Sequence, residues 1–224
     1  LRLPLKDSPI LYKHPHGNVF YRGMNHARPK IAYGEGIYLY DDSGKRYIDG
    51  SGGPLVVNVG HGRKEIVEAM ARQAQAAAYV HATMFTSEPL EAYAAALAEV
   101  VPLSRPRFYF LSSGTEVVEG AIKLARQIQM ARGESQRHII LSRWNSYHGM
   151  TLGALAVSGR PGLRAPYLEM MRDVPHIPTP YTYRRPMTGE ELAARLEEVI
   201  QAEGKDTIAA FIAAPLSGAP PGSS

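Results

Sequence analysis

The stretch that decides the fold prediction is FYFLSSGTE, residues 108–116. Residues 107–111 have the length and the apolar side chains of a buried β-strand. A turn of small residues follows, and residues 113–132 then have the periodicity of a helix. The first turn of a helix carries free N–H groups and the positive end of the helix dipole, so a strand, turn and helix in this order can bind an anion. We therefore predict a phosphate-binding turn.

Three residues of this turn suit a phosphate group. Gly114 lets the backbone approach a ligand closely, and the hydroxyls of Ser113 and Thr115 can donate hydrogen bonds. The same residues also fit a purely structural role, because Ser113 followed by Glu116 has the spacing of a capping box. Taken alone, these residues leave both interpretations open.

Strands and helices continue to alternate after this turn. Residues 138–142 and 207–213 are predicted as strands, and residues 189–202 as an amphipathic helix. This alternation predicts an α/β fold with a mostly parallel sheet and crossover helices.

The first half of the chain has a different pattern. Residues 30–49 alternate apolar and polar side chains around the turn DDSG at 41–44, which predicts a small antiparallel β-meander. Residues 64–78 and 88–101 have the apolar spacing of two amphipathic helices.

The composition excludes several classes of function. The 224 residues are 45% hydrophobic and 21% charged, and none is cysteine, which excludes disorder throughout, disulfides and thiolate chemistry. No apolar run reaches membrane-spanning length. The formal charge is +4, and the arginines are scattered rather than clustered on one face. We predict a cytoplasmic protein with no metal site and no nucleic-acid or membrane partner.

A second stretch, WNSYHG at residues 144–149, follows the predicted strand 138–142. It is therefore expected at the carboxyl edge of the same sheet as the phosphate turn, where open parallel sheets bind their ligands. The ring of Tyr147 could stack on a planar heterocycle, with His148 beside it for a polar contact. A tyrosine and a histidine in a loop also serve structure alone, and this alternative stays open.

Five segments in the same order resemble the class III pyridoxal-phosphate-dependent aminotransferases, the ω-aminotransferase group. They are GEGIYLYDDSGKRYIDG at 34–50, VNVGHG at 57–62, SGTE at 113–116, AIKLAR at 121–126 and YHGMTLGAL at 147–155. The resemblance implies the fold type I of these transferases, pyridoxal 5′-phosphate as the cofactor, and a homodimer. It also implies residues 1–60 as an amino-terminal segment with the meander of a small domain, and 61–224 as an incomplete large cofactor-binding domain.

The resemblance further implies two groups of cofactor-binding residues. The first, here named the phosphate seat, holds the cofactor phosphate and consists of Ser113, Gly114 and Thr115. The second, here named the ring wall, has one aromatic ring stacked on the pyridine and two residues beside it, and consists of Tyr147, His148 and Gly149.

A substrate pocket is also implied, partly across the dimer interface. By the same resemblance it includes Tyr21, Leu55, Met84 and Phe85. For Leu55 and Phe85, plain core packing is the alternative on composition, and for Tyr21 it is an ordinary half-buried tyrosine.

Two features depart from the family pattern. Aminotransfer needs a lysine that forms a Schiff base and a carboxylate at the pyridine nitrogen, and in the family both lie further along the chain. None of the lysines here stands at the Schiff-base position, so we expect no catalytic residue, an inactive chain on its own, and an amino-terminal half whose carboxyl-terminal part is missing. Ala214 stands where the family usually has glutamate, which leaves the substrate class open.

The implied activity is the transfer of an amino group from an amino acid or amine donor to an oxo acid acceptor. Two alternatives stay open. One is another chemistry on the same cofactor, such as decarboxylation or racemisation. The other is a non-catalytic, truncated relative that acts as a binding or dimerising protein.

Overall fold

Alternating apolar residues on either side of a polar turn form the first sheet. The computed structural model describes residues 18–21, 28–181 and 186–215. Three antiparallel strands pair in chain order: β1 (Ile31–Glu35), β2 (Tyr38–Asp41) and β3 (Arg46–Ile48). The predicted β-meander is confirmed.

The carboxylate of Asp41 organises the turn between β2 and β3. It accepts hydrogen bonds from the Ser43 hydroxyl (2.6 Å) and N–H (3.0 Å), the Lys45 N–H (3.0 Å) and the Tyr47 hydroxyl (2.7 Å). The hydroxyls of Ser43 and Tyr47 contribute most, and together these bonds lower the pKa of Asp41 to about 2. The carboxylate is therefore ionised at any pH at which the protein is handled.

Three helical segments follow the meander: α1 (Gly52–Leu55), α2 (Lys64–Ala77) and α3 (Glu88–Val100). The two longer helices match the predicted ranges to within one residue. The chain then divides into two compact units between Val101 and Pro102, called here the first and second unit. The domain boundary expected after residue 60 stays a prediction.

The second unit contains the parallel sheet. Its central strand β4 (Ile139–Arg143) pairs in parallel with β5 (His176–Ile177) and with β6 (Ile208–Phe211). The helices of this unit are α4 (Gly114–Ala131), α5 (Leu152–Val157), α6 (Pro161–Arg164), a 3₁₀ helix (Ala165–Met170) and α7 (Gly189–Glu203). The predicted α/β fold with a parallel sheet is confirmed.

The apolar core of the described residues lies where β4 packs against α5. Its buried hydrophobic side chains are those of Ile140, Leu141, Ala154, Leu155, Ala156, Val157 and Ile177. Because α5 comes shortly after the ring wall, burial of its side chains also restrains that loop.

The strand expected at residues 107–111 is absent from the structure. These residues lead into α4, but they pair with no other described strand. An apolar run indicates a tendency to be buried, whereas a strand exists only where a neighbour exchanges backbone hydrogen bonds with it. The prediction was wrong because the sequence pattern carries no information on that neighbour.

Within the part of the chain that the structure describes, no helix combines the length and the apolar character needed to cross a membrane.

Candidate functional site

The phosphate seat lies at the amino terminus of the 18-residue helix α4. Ser113 is its N-cap residue: the hydroxyl oxygen accepts a hydrogen bond from the Glu116 N–H (3.3 Å), and the hydroxyl donates to the Glu116 carboxylate (3.2 Å). Only one half of the expected capping box is present, because the Glu116 carboxylate accepts from the Ser113 hydroxyl and not from the Ser113 backbone N–H. This contact fixes where α4 begins and in which direction its first N–H groups point.

The next two N–H groups are available to an anion. Among the described residues, those of Gly114 and Thr115 donate to no acceptor, as expected for the first turn of a helix. A Cβ atom at Gly114 would meet no atom of a more distant described residue within 4 Å, so the space on that side of Gly114 is open. The free donors, the open space and the dipole of a long helix fit a phosphate group.

The ring wall follows β4 in a loop that is pinned from both sides. The Asn145 N–H donates to the Gly159 carbonyl (2.6 Å), and the Gly159 N–H donates back to the Ser146 carbonyl (3.0 Å). The Ser146 hydroxyl also donates to the Arg143 carbonyl (2.6 Å). These bonds hold residues 143–146 in one conformation at the carboxyl end of the strand.

The aromatic ring of the wall is accessible, whereas the imidazole next to it is largely covered. The side chain of Tyr147 is 48% exposed, and the Arg160 guanidinium lies 5.6 Å from its ring centroid. The backbone N–H of His148 donates to the buried Ser158 hydroxyl (2.8 Å). Burial, and secondly the positive charge of Arg143, lower the pKa of His148, which favours the neutral imidazole.

The buried Nε2 atom of His148 has no hydrogen-bond partner among the described residues. An unpaired buried nitrogen is uncommon in folded proteins, because it loses its hydrogen bonds to water without replacement. This atom therefore fits a polar partner that the described residues do not supply.

One hydrogen bond joins the seat to Met150, the residue directly after the wall. The Met150 N–H donates to Thr115 Oγ1 (2.9 Å). Directly before it, Gly149 has φ +143°, and a Cβ atom there would collide with Thr115 Oγ1. Glycine is thus required by both its backbone conformation and the close approach of α4. The structure brings the phosphate seat and the ring wall together, but through contacts of α4 rather than a shared sheet edge, because residues 107–111 form no strand.

A family model for class III aminotransferases matches residues 21–220. The chain belongs to the class III aminotransferase family. An uncharacterised aminotransferase of Bacillus subtilis, YodT, is 38% identical over 201 residues, which are 88% of this chain and 45% of that protein. The putrescine–pyruvate aminotransferase of Pseudomonas aeruginosa is 31% identical over 207 residues, or 89% of this chain and 45% of the relative. The chain therefore spans about half the length of the curated relatives it matches.

Solved structures of transaminases resemble this class III chain in fold. An (S)-enantioselective ω-transaminase from Thermomicrobium roseum is 38% identical with a TM-score of 0.79, over 91% of this chain and 47% of that one. The ω-transaminase of Pseudomonas jessenii, solved in complex with PMP, is 31% identical with a TM-score of 0.80, over 85% of this chain and 44% of that one.

The four residues expected in the substrate pocket of this class III chain lie in the first unit. Tyr21 is partly buried. Leu55 is 68% exposed and has φ +63°, a conformation that is strained for leucine. Phe85 is 62% exposed, and its N–H and that of the exposed Met84 both donate to the His81 carbonyl. Leu55 and Phe85 are thus outside the core of the described residues, and their place in a pocket stays a prediction.

Sequence reasoning missed two charged residues of the second unit. The Arg143 guanidinium donates to the Ala214 carbonyl, which links the end of β4 to the segment after β6. Glu119, one turn along α4 from Thr115, accepts hydrogen bonds from residues just after the ring wall. The signal for Glu119 was its four-residue spacing from Thr115; for Arg143 the sequence offers none.

Proposed function

We propose that this chain provides the phosphate seat and the ring wall of a pyridoxal-phosphate-dependent aminotransferase, which moves an amino group from an amino acid or amine to an oxo acid. The observation that carries the proposal is the hydrogen bond between the Met150 N–H and Thr115 Oγ1, because it fixes the wall beside the seat. Membership of the class III family supports the reaction, and the P. jessenii relative solved with PMP supports the cofactor.

Pyridoxal phosphate, when bound, supplies an electron sink for the substrate carbon that carries the amino group. The residues of this chain bind and orient it. The N–H groups of Gly114 and Thr115 and the dipole of α4 suit the doubly negative phosphate. The exposed ring of Tyr147 suits one face of the pyridine, and the guanidinium of Arg160 over that tyrosine restricts its rotation.

His148 has a separate part in this proposal. Burial lowers the pKa of its imidazole, which favours the neutral form, and its Nε2 atom is buried without a partner among the described residues. We infer that this nitrogen forms a hydrogen bond with a polar group that the described residues do not supply. Gly149 contributes through its missing side chain, because it allows the wall to contact Thr115.

The finer properties of the enzyme belong to the same proposal. We propose that Tyr21, Leu55, Met84 and Phe85 contribute to the substrate pocket, because an exposed, strained leucine is typical of a functional loop. We propose a homodimer, because the apolar face of α2, including Met70, is exposed in the first unit. A cytoplasmic location is compatible with the absence of cysteine from the sequence.

Substitution of Tyr147 tests the proposal directly. The protein is expressed from its natural reading frame, and the Kd for pyridoxal phosphate is measured by equilibrium dialysis. Loss of the aromatic ring in Tyr147→Ala is expected to weaken binding about two- to tenfold, because an aromatic stacking contact is worth about 0.5–1.5 kcal/mol. Tyr147→Phe keeps the ring and is expected to bind as the wild type does.

The matched control is Tyr167→Ala, which removes an exposed tyrosine of the same unit from the 3₁₀ helix. Its Kd is expected to equal that of the wild type. Equal cofactor binding by Tyr147→Ala and Tyr167→Ala would overturn the stacking role, and a wild type that binds no pyridoxal phosphate would overturn the proposed function.

A further inference from the structure

Two side chains of α4 contact the segment that follows the ring wall. Thr115 and Glu119 are four residues apart and therefore share one face of the helix. Thr115 Oγ1 accepts a hydrogen bond from the Met150 N–H at 2.9 Å. Glu119 Oε1 accepts from the Thr151 hydroxyl at 2.5 Å and from the Ala154 N–H at 3.1 Å. Successive turns of α4 thus hold both ends of residues 150–154.

Glu119 supplies the cap that α5 lacks from its own residues. Thr151 is the N-cap residue of α5, but its side chain bonds no N–H group of that helix. Its hydroxyl donates to Glu119 instead, and Glu119 accepts from Ala154, the third residue of α5. A carboxylate at this position also interacts favourably with the helix dipole. Removal of Glu119 therefore leaves the first turn of α5 without an acceptor.

Two glycines with the same four-residue spacing make this contact sterically possible. A Cβ atom at Gly149 would collide with Thr115 Oγ1. At Gly153 it would lie 2.6 Å from both carboxylate oxygens of Glu119, so a side chain there would displace the carboxylate. The side chains of α4 thus occupy the space that side chains at 149 and 153 would need.

We propose that Glu119 and Gly153 are positioning residues that set the distance between the phosphate seat and the ring wall. Thr115 belongs to the seat and Gly149 to the wall, and the segment held by Glu119 begins two residues after Gly149, at Thr151. A shift of residues 150–154 consequently moves the wall relative to the seat. The ligand class is a phosphorylated pyridine, whose phosphate and ring are held by two different segments of the chain. This inference deepens the proposed function and rests on it.

The test compares two probes in the protein expressed from its natural reading frame. Pyridoxamine phosphate has no aldehyde, so its Kd reports the seat and the wall without a Schiff base, whereas inorganic phosphate reports the seat alone. Glu119→Ala is expected to weaken pyridoxamine phosphate binding about tenfold and to reduce the circular dichroism of the bound ring, since charge-assisted contacts that hold the wall are lost. The Kd for inorganic phosphate is expected to stay within about twofold, since the N–H groups of the seat remain.

Three variants separate positioning from a general loss of structure. Glu119→Gln keeps the Oε1 atom that accepts both hydrogen bonds, and it is expected to restore most of the affinity and the circular dichroism. Gly153→Ala is expected to lose affinity as Glu119→Ala does, because the new methyl group displaces the carboxylate. Glu198→Gln, which changes a carboxylate paired with Arg195 on an exposed face of α7, is the matched control and is expected to bind as the wild type.

The double variant Glu119→Ala/Gly153→Ala is expected to bind no more weakly than either single variant, because both changes disrupt the same contact. Urea unfolding of each variant identifies any that does not fold, and Gly153→Ala serves as the second, independent route to the same answer.

A wild type that fails to bind pyridoxamine phosphate would contradict the proposed function. A wild type that binds, with unchanged Kd and circular dichroism in Glu119→Ala and Gly153→Ala, would overturn the positioning role. Equal losses for inorganic phosphate and pyridoxamine phosphate would overturn it too, since they would place the effect on the seat alone.

Discussion

The antiparallel sheet of β1–β3 and the parallel sheet of β4–β6 are stabilised in different ways. In the described part of the first unit, Asp41 is the one buried residue, and its carboxylate accepts four hydrogen bonds within the turn. In the second unit, Leu141 on β4 is fully buried and packs in the core that includes α5. A polar turn and a backbone ladder hold the first sheet, whereas apolar burial holds the second.

This difference matters for the candidate site. The contacts of Asp41 join residues at most six positions apart, so the meander is defined by its own local sequence. The parallel sheet joins distant segments: the Gln129 side chain, for example, donates to the Ala209 carbonyl. The phosphate seat and the ring wall belong to this second kind of structure, and their geometry depends on the same core.

The largest expected effect is that of Leu141→Ala. It creates a cavity in the core of the second unit and is expected to lower the free energy of unfolding by about 2–5 kcal/mol. Urea unfolding followed by the fluorescence of Trp144, the one tryptophan of the sequence, measures it. Leu103→Ala removes a 65% exposed leucine of the same unit and is expected to change stability by less than about 0.5 kcal/mol. Similar effects of the two variants would show that the apolar core is not what stabilises this unit.

Acidification is expected to affect the two sheets differently. The Nδ1–H of His176 donates to the Val174 carbonyl (2.6 Å), and Nε2 faces the Arg164 guanidinium (2.9 Å). Burial, and secondly the charge of Arg164, lower the pKa of His176. Below the ordinary histidine pKa of about 6.5, the unfolded chain binds the proton more readily than the folded one, so stability falls as the pH drops from there toward the folded pKa. Asp41, with a pKa of about 2, stays ionised over this range.

The measurement is the urea midpoint by Trp144 fluorescence between pH 7.5 and about pH 5. His148, whose pKa is also lowered, acts in the same direction. His176→Gln can still donate to Val174 and accept from Arg164 but does not titrate, and it is expected to reduce the slope. A midpoint that does not change over this range in the wild type would contradict the expectation.

Substitution of Asp41 is expected to have a smaller and more local effect. Asp41→Ala removes the acceptor of the Ser43 and Lys45 N–H groups, and hydrogen exchange of these two amides should become faster. Asp41→Asn keeps an acceptor oxygen and should retain most of their protection. Because Leu141 and its core are unaffected, exchange of the β4 amides is expected to stay unchanged; faster exchange there would argue against separate stabilisation of the two sheets.

The smallest expected effect concerns the cap of α7, the helix before β6. Thr188 and Glu191 form a reciprocal capping box, with the Glu191 N–H bonded to the Thr188 hydroxyl (3.2 Å). Thr188→Ala is expected to lower stability by about 1 kcal/mol. Thr188→Ser retains the hydroxyl and is expected to stay close to the wild type in the same urea measurement. An Ala variant as stable as the Ser variant would mean that the cap of α7 does not contribute to the free energy of unfolding.

Local patterns in the sequence predicted much of this fold. The meander, α2, α3, α4 and α7 were expected within one residue or a few of their observed bounds, because hydrophobic period and turn residues act over short separations. The sequence also predicted that Thr115 lies near residues 144–149, but the reason differs: no strand precedes Thr115, and the contact is made by a hydrogen bond from the Met150 N–H.

The predicted strand at residues 107–111 and the overlooked Glu119 show where such patterns fail. Both depend on a partner that is distant in sequence: a neighbouring strand in one case, and the start of α5 in the other. Ser113 shows the opposite situation, because its role as the N-cap residue of α4 is local and was therefore predictable from the sequence.

The sequence by itself determined the family, the meander, the long helices and the residue types of the phosphate seat and the ring wall. Only the tertiary structure decided that Thr115 and Glu119 meet Gly149 and Gly153, and that the Nε2 atom of His148 is buried without a described partner. The physical reason is the range of the interactions. Helical period, capping and turns are set within a few residues, whereas steric fit and desolvation depend on which distant segments pack together.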